Sequence, residues 1–349
     1  MIAAGGTAGH VVPALAVAHA LRADGAEVAF IGGERAEAQL VPAAGFQLHR
    51  IAVEGMSRTH PLDAARALMR AGRALPRSRS LLRALEADAV LGGGGYVSAP
   101  VGLAALSLRL PLVLTEADSH LGLSNRALAP FARRVCLSFP IDGRGEPRYR
   151  VTGRPIAPSA ADRARARERF GIPPDAQCVL VFGGSLGART INAAALAAFA
   201  GAPFHVLHVC GRRDYGELAA QARAPRYDLR EYLDGERFAE ALEAADLAVA
   251  RAGGSVFELA AHGLPAILVP YPHAAADHQS TNARWMTEAG AALAIPDAEL
   301  SAERLAREVA ELLGDREKLA AMASAARSLA RPAAAREVAD ELLAAARQR

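Results

Sequence analysis

The sequence predicts an α/β fold of two domains, each built on a parallel sheet with helices on both faces. Short apolar runs of strand type alternate with helical segments along the whole chain, a pattern typical of parallel sheets. A glycine turn joins an apolar run to a helix early in both halves, GGTAG at 5–9 and GGSLG at 183–187. The length of 349 residues suits about two domains. We therefore expect two Rossmann-like domains facing each other across a cleft.

Composition excludes several classes of protein. Hydrophobic residues make up 52% of the chain, but no apolar run reaches the ~18–20 residues that span a membrane. The N-terminus enters a glycine turn without the basic region of a signal peptide. The cysteines, Cys136, Cys178 and Cys210, lie in apolar runs without metal-ligand spacing. We interpret them as reduced core thiols of a cytoplasmic protein.

In the first half, the chain alternates regularly between strands and helices. Pro13 fits the first turn of a helix that begins at His10 and ends near Gly25. A later helix, 61–85, is predicted to break at Pro76. Strands are predicted at 2–4, 27–31, 46–53, 89–91, 112–114, 135–137 and 149–152. The other helices are predicted at 34–44, in the segment that follows the glycine turn 92–100, and in a segment that ends at 128.

The pattern restarts after 153–158, which carries two prolines and is predicted to link the domains. The predicted domains are 1–153 and 154–349, and the last helix can pack back on the first domain. A polar loop with Asp277, His278 and Gln279 is predicted after the strand 265–269. The other strands are predicted at 178–182, 206–210, 227–233 and 247–250. Helices are predicted at 188–198, in a segment that ends at 245, and at 256–262. From 300 onward the chain is predicted to be helical, with breaks near 314 and 331–332.

The stretch 246–282 has the pattern of an anion site. A strand at 247–250 enters the glycine turn 251–255, and a helix follows at 256–262. The free N–H groups of a first helical turn and the helix dipole favour negative charge. Glu258, one turn inside this helix, is placed to accept hydrogen bonds from two ribose hydroxyls. The plainer alternative is that Glu258 only complements the helix N-terminus.

The charge is unevenly distributed. Up to Gly153 there are 17 arginines against 12 acidic residues, whereas the whole chain has a net charge of +3. The excess lies between Arg58 and Arg83, with seven arginines and one acid. This patch suggests an anionic partner. Four arginines are spaced to line one helical face, Arg66, Arg70, Arg73 and Arg77.

Five motifs in register resemble the MurG family of peptidoglycan glycosyltransferases, which belongs to glycosyltransferase family 28 and has the GT-B fold. The motifs are GGTAGHVVPALAVAHAL, GGGGYVSAPVGLAA, GGSLGARTIN, RAGGSVFELAAHGLPAILVPYP and DHQSTNA. The resemblance implies inverting transfer of GlcNAc from UDP-GlcNAc to lipid I, the undecaprenyl-diphosphate-linked muramyl pentapeptide, which gives lipid II. It implies an acceptor-binding, membrane-facing first domain and a UDP-GlcNAc-binding second domain, at the cytoplasmic face of the cell membrane. It implies no cofactor, metal or nucleic-acid partner.

The resemblance also implies roles for individual residues. Glu258 would hold the ribose, Leu233 the uracil through backbone groups, and Ser185 the donor phosphates, while Gln279 would bind the GlcNAc hydroxyls. The other substrate-binding positions implied are Thr7, Ala8, Gly9, Gly94, Tyr96, Ser98, Asp118, Arg154, Gly253, Gly254 and Ser255. The sequence departs from the usual pattern of the family in three places. Asp118 stands where the family usually has an Asn, and Ala157 stands where it has an Arg, with Arg154 three residues earlier. The run RAGGSVFE is one residue shorter than the usual version of that turn.

Sugar transfer needs a stabilised leaving diphosphate and a base for the acceptor hydroxyl. The glycine turns can meet the first need without metal, and no DxD-like acidic pair stands beside them. His10 is the candidate base, with Asp118 and Glu116 as alternatives. The plainer alternative for His10 is a helix residue bonded to backbone. We expect His273 and His278 to bind rather than transfer protons.

Three other functions are compatible with some of these sequence features. An NAD enzyme is disfavoured because 5–9 lacks G-x-G-x-x-G spacing and no acid ends the second strand. A UDP-GlcNAc 2-epimerase shares the GT-B architecture but does not need a basic, membrane-facing stripe. A catalytically silent protein that binds nucleotide sugar or polyprenyl lipid draws support only from Asp118 and Ala157. Release of UDP with and without a lipid I analogue separates these alternatives.

Overall fold

A computed structural model describes residues 1–53, 61–156, 161–184, 187–222, 224–274 and 277–348, with the backbone alone for 61–71. The chain divides into two compact units. Unit 1 comprises Met1–Pro158 with Arg331–Arg349, and unit 2 comprises Ser159–Ala330. The predicted boundary after Gly153 thus lies near the observed division, and the C-terminal segment belongs with the first unit.

Unit 1 is built on a seven-stranded parallel sheet with the order β3-β2-β1-β4-β5-β6-β7. Its strands are β1 Ile2–Ala3, β2 Ala29–Gly32, β3 Gln47–Arg50, β4 Val90–Gly92, β5 Leu112–Glu116, β6 Arg134–Leu137 and β7 Tyr149–Val151. The helices between them are α1 Ala8–Ala23, α2 Ala36–Ala43, α3 Pro61–Ala84, α4 Ser98–Ser107 and α5 Leu123–Leu128, the last followed by a 3-10 turn, Ala129–Phe131.

Unit 2 is built on a six-stranded parallel sheet with the order β10-β9-β8-β11-β12-β13. Its strands are β8 Cys178–Phe182, β9 His205–Val209, β10 Tyr227–Arg230, β11 Leu247–Ala250, β12 Ala266–Leu268 and β13 Ala292–Ala294. Its helices are α6 Arg163–Arg169, α7 Arg189–Phe199, α8 Tyr215–Ala219, α9 Gly235–Ala244, α10 Val256–His262, α11 His278–Glu288, α12 Ala302–Gly314 and α13 Arg316–Leu329, with a 3-10 turn at Asp297–Glu299.

Apolar packing on both faces explains why the central strands are continuous apolar runs. Every residue of β8 and of β11 is buried, as expected where helices cover both faces of a parallel sheet. In unit 1, Ile2 and Phe30 belong to one core cluster, whereas their neighbours Ala3 and Ile31 belong to another. The alternation follows from the period of two along a strand. All three cysteines are buried free thiols.

The last helix, α14 Ala334–Arg347, explains why the C-terminal segment belongs to unit 1. Val338 and Leu342 pack in the same core cluster as Val17 of α1. On its polar side, Glu341 accepts from Arg134 Nε and from Arg150 Nη1, both at 2.8 Å. The helix therefore completes one face of the first sheet.

The predicted break at Pro76 is wrong, because α3 continues through it. Proline removes one hydrogen bond and costs a helix interior about 3 kcal/mol. The carbonyl that loses its partner belongs to Gly72, which is exposed to water. On either side of Pro76, Ala74 and Leu82 are buried in the core that includes α4. Packing that lies outside this local sequence therefore overrides the proline.

The prediction of a polar loop through Asp277, His278 and Gln279 is also wrong in part, because the loop ends at Asp277 and α11 begins at His278. Asp277 itself adopts a left-handed conformation with φ 52°. The helix is secured by its buried Asn282 and Met286 and by the ring of Trp285, which lies 5.0 Å from that of Phe257. The short helices α6 and α8 and strand β13 were not predicted.

Candidate active site

The predicted glycine turns follow neighbouring strands in pairs, at the carboxyl ends of those strands. In the first sheet, β1 and β4 are adjacent, and the chain order reverses between them. The turn 5–9 follows β1, and the turn 93–97 follows β4. In the second sheet, β8 and β11 are adjacent in the same way, and they carry the turns 183–187 and 251–255. Such reversal points are where open α/β sheets bind ligands.

The two turns of unit 1 touch through bare backbone. A Cβ atom built on Gly95 would lie 2.1 Å from the carbonyl oxygen of Gly5. Gly95 also has φ +77°, a conformation that side chains with a Cβ rarely adopt. Glycine is therefore required here for close approach of the two turns.

A buried carboxylate, Glu37, holds this pair of turns in place. It is fully buried and accepts hydrogen bonds from Gly6 N at 2.8 Å, Gly33 N at 2.9 Å and Tyr96 Oη at 3.1 Å. Burial, followed by the charge of Glu37, raises the pKa of Tyr96 to about 12. Sequence reasoning missed Glu37. The available signal was an acid in the first turn of a helix that follows the glycine pair Gly32 and Gly33.

His10 lies in the first turn of α1, with its ring against the second glycine turn. Its Nδ1 is 3.3 Å from Thr7 Oγ1, and a Cβ atom built on Gly94 would lie 2.6 Å from His10 Cδ2. Burial and then the charge of Arg154 lower the pKa of His10, while Asp118 and Glu37 act in the opposite direction. The imidazole is therefore neutral at pH 7 and able to take a proton.

Arg154 reaches the first turn from the segment after β7. Its Nη2 donates to the carbonyl of Gly9 at 2.6 Å. Thr7, at the end of the turn, and Ala8 and Gly9, at the start of α1, are all exposed. The guanidinium therefore stands beside accessible backbone, close enough to His10 to influence its pKa.

Two further polar side chains of unit 1, Ser98 and Glu116, are hydrogen-bonded within the protein. The Ser98 hydroxyl is buried within reach of the carbonyls of Ala3 and Gly94, at 3.1 and 2.9 Å. Glu116 accepts from Gly122 N at 2.8 Å and Asn125 Nδ2 at 2.9 Å, and burial raises its pKa. The Ser98 contacts hold the turn that follows β4, and the Glu116 contacts hold the loop that follows β5, so neither side chain is open to substrate.

Glu116 also positions the alternative base. It accepts from the backbone N–H of Asp118 at 3.2 Å. The Asp118 side chain is half-buried and raises the pKa of His10. Of the two acids, Asp118 is thus the one left to act on a ligand.

In unit 2, Arg251 ties together the loops that follow three strands. Its buried guanidinium donates to Val269 O at 3.1 Å and Thr190 Oγ1 at 2.8 Å, and it pairs with Asp297. Val269 follows β12, Thr190 lies in the first turn of α7 after β8, and Asp297 follows β13. Sequence reasoning placed Arg251 in a glycine turn but could not identify these partners.

The turn 251–255 is flanked by two amides of α11. Gln279 Oε1 accepts from Tyr271 N at 2.9 Å, and its Nε2 lies 4.0 Å from a Cβ atom built on Gly253. Asn282 is buried and donates to Ala252 O at 2.9 Å. Gln279 is therefore held over the turn with its amide nitrogen facing Gly253.

Other predicted donor residues lie at the same edge of the second sheet. Glu258 is half-buried in the first turn of α10, directly after Gly253, Gly254 and Ser255. Leu233 is half-buried in the loop between β10 and α9. Ser185 lies outside the described residues, as does Ala157. In the described ranges, His, Cys, Asp and Glu side chains form no cluster that could hold a metal ion.

A buried histidine, His208 in β9, makes the stability of this unit sensitive to acid. Its Nδ1 accepts from Tyr227 Oη at 2.7 Å, and its Nε2 donates to Asn192 Oδ1 at 3.1 Å. Because the ring is buried, its pKa falls to about 4, whereas an unfolded His titrates near 6.5. Between these values the unfolded state binds more protons, so stability falls as the pH decreases from 6.5 to 4.

We expect the unfolding free energy to drop by about 2 kcal/mol through His208 between pH 7 and pH 5. Urea denaturation at both pH values measures the drop. His208→Gln should show a smaller drop between the two pH values, since Gln does not titrate. An equal drop in both proteins would contradict this account.

Comparison with known proteins identifies the family. The model of the glycosyltransferase family 28 N-terminal domain matches residues 1–137, and that of the C-terminal domain matches residues 178–340. A UDP-N-acetylglucosamine--N-acetylmuramyl-(pentapeptide) pyrophosphoryl-undecaprenol N-acetylglucosamine transferase of Moorella thermoacetica is 44% identical, with 96% of this chain and 95% of the relative covered. The enzyme of the same name from Rubrobacter xylanophilus is 45% identical, with 95% and 99% covered.

The chain belongs to the MurG family of glycosyltransferase family 28. It is therefore a glycosyltransferase of GT-B fold, as the motifs predicted. The crystal structure of MurG from Acinetobacter baumannii matches with a TM-score of 0.77 and 30% identity, covering 99% of this chain and 98% of that one. A UDP-GlcNAc 2-epimerase from Neisseria meningitidis, at 13% identity and a TM-score of 0.68, shares the fold alone.

Proposed function

We propose that this MurG-family protein transfers GlcNAc from UDP-GlcNAc to the muramyl C4 hydroxyl of lipid I, with inversion at the anomeric carbon. The observation that carries the proposal is the pair of glycine turns at the reversal point of each sheet. The curated relatives of this chain are named for the same transfer. The reaction forms lipid II for peptidoglycan synthesis.

The donor binds to the turns of unit 2. Backbone N–H groups of 183–187 and 253–255 face the diphosphate, because a glycine turn before a helix presents free donors to anions. Glu258 accepts from the ribose hydroxyls, Leu233 meets uracil through its backbone, and Ser185 approaches the phosphates. The amide of Gln279, held by Tyr271 N, meets the GlcNAc hydroxyls. The N–H groups of the two turns stabilise the diphosphate as it leaves.

The acceptor binds to the turns of unit 1. Thr7, Ala8 and Gly9 are exposed, and Arg154 lies beside them with its charge directed at the Gly9 carbonyl. The acceptor diphosphate lies against this turn and against the backbone of 94–98, which includes Gly94 and Tyr96, while the buried Ser98 hydroxyl holds that backbone through Gly94 O. Asp118 accepts from a sugar hydroxyl. The neutral His10 takes the proton of the C4 hydroxyl as the bond to UDP breaks.

Product analysis with UDP-GlcNAc, with and without a soluble lipid I analogue, tests this function. We expect UDP release that depends on the acceptor and a product enlarged by one GlcNAc. Conversion to a 2-epimer without acceptor would identify an epimerase. Binding of UDP-GlcNAc with neither product would identify a silent binding protein.

We further propose that α3 places the protein at the cytoplasmic face of the membrane, as a peripheral protein. The helix runs through all four predicted arginines. Arg73 and Arg77 are exposed, whereas the side chains of Arg66 and Arg70 lie outside the described residues. Among the described helices, none is long and apolar enough to cross a membrane.

Replacing Arg66, Arg70, Arg73 and Arg77 with glutamine should weaken binding to anionic vesicles, because each basic residue near anionic lipid contributes about 1 kcal/mol. Vesicle co-sedimentation at low salt measures the change, and UDP binding should be unaffected. A matched control replaces four exposed arginines of unit 2, Arg165, Arg237, Arg307 and Arg316. Equal loss in both variants would show that overall charge alone is responsible, and no loss would refute the membrane role of α3.

A further inference from the structure

We infer that Asn192, oriented by His208, holds Gly187, the last residue of the glycine turn 183–187, in the position that the donor diphosphate requires. The two are positioning residues for the proposed donor site, and the ligand in this inference rests on that proposed function. Neither residue is exposed: Asn192 has 1% of its surface accessible and His208 has none. Their influence on a ligand must therefore pass through the backbone that they hold.

Both ends of the Asn192 amide are bonded. Its Nδ2 donates to Cys210 O at 2.9 Å and to Asp214 Oδ2 at 3.0 Å. Its Oδ1 can only accept, so His208 Nε2, at 3.1 Å, carries the ring proton. His208 Nδ1 then accepts from Tyr227 Oη. The two acceptors that face Nδ2, Cys210 O and Asp214 Oδ2, fix the amide in one orientation, because a flipped amide would face Cys210 O with an acceptor.

The glycine turn rests on the carbonyl that Asn192 holds. A Cβ atom built on Gly187 would lie 2.0 Å from Cys210 O and 3.3 Å from Asn192 Nδ2. The turn is closed by the bond from Gly187 N to Gly184 O, at 2.8 Å. Because no side chain separates Gly187 from Cys210, a shift of that carbonyl displaces the turn directly.

Asn192 also fixes the charges beside the turn. Asp214 accepts from Arg213 Nε at 2.9 Å and from Arg189 Nε at 3.2 Å. The bond with Arg213 is the main cause of the lowered pKa of Asp214, which therefore stays ionised. The carboxylate that Asn192 holds thus keeps two guanidinium groups near a turn proposed to bind an anion, where positive charge is favourable.

Asn192→Ala in the full chain should weaken UDP binding, measured by calorimetry, by about tenfold, because a held turn becomes free to move. Without ligand, hydrogen exchange of peptides that cover 183–192 should be faster in Asn192→Ala than in wild type. Gln177→Ala is the matched control: it removes an amide bond to Leu313 O, next to the opposite end of β8. It should leave UDP binding within about twofold of wild type.

Tyr227→Phe separates positioning from general stability. It removes the bond to His208 but leaves Asn192 on Cys210 O, so it should lower Tm and change UDP affinity by no more than about twofold. The inference is overturned by wild-type UDP affinity in Asn192→Ala, by unchanged exchange of 183–192, or by equal weakening in Tyr227→Phe. Failure of the wild-type protein to bind UDP would instead refute the proposed donor site, and the exchange comparison still decides whether Asn192 holds the turn.

Discussion

His10→Ala should lower kcat by roughly 10²- to 10⁴-fold, the usual contribution of a general base. The ring is neutral near pH 7 because burial and Arg154 lower its pKa, and α1 and Gly94 fix its position. The donor KM should change little, because His10 lies on the unit proposed to bind the acceptor. Steady-state kinetics with a lipid I analogue measure both constants.

The pH dependence provides a second measurement of the same role. A base must be neutral, so kcat/KM should fall as the pH drops through the lowered pKa of His10. This acid limb should disappear from the residual activity of His10→Gln. His19→Ala is the matched control, since His19 lies on the same helix against Phe46. If His10→Ala keeps most of its kcat, or loses donor affinity instead, Asp118 becomes the candidate base.

Glu258→Ala should raise the donor KM by roughly 10- to 100-fold, because a charge-assisted hydrogen bond is worth ~1.5–3 kcal/mol. The effect should appear equally in the Kd for UDP, which carries the ribose. With 2′,3′-dideoxy-UDP, wild type and variant should bind alike, because the hydroxyls that Glu258 accepts from are missing. Calorimetry with both nucleotides forms a double-mutant cycle across this contact.

Glu303→Ala tests the plainer alternative for Glu258. Glu303 also lies in the first turn of a helix of unit 2, but it is exposed on α12. A carboxylate that only complements a helix N-terminus contributes about 0.3–1 kcal/mol to stability and nothing to donor binding. If Glu258→Ala resembles Glu303→Ala, with slightly lower Tm and unchanged KM, Glu258 does not bind the ribose.

The sequence by itself determined the repeating units of the fold and the place of each glycine turn. Strands β8 and β11 and helix α10 have the predicted bounds, 178–182, 247–250 and 256–262. Their signals are local: a buried strand needs a continuous apolar run. Gly263, which ends α10 with φ 60°, adopts a conformation that favours glycine. Such constraints are visible without knowledge of any distant residue.

Only the tertiary structure decided which side chains hold the turns. Glu37 and Tyr96 are 59 positions apart in the chain, and Arg251 and Thr190 are 61 apart. The helix through Pro76 likewise depends on a core that distant strands supply. A residue's type shows that it can accept or donate, but its partner depends on how the strands are ordered in the sheet. Polar networks of this kind therefore emerge only when the parallel strands bring their carboxyl ends together.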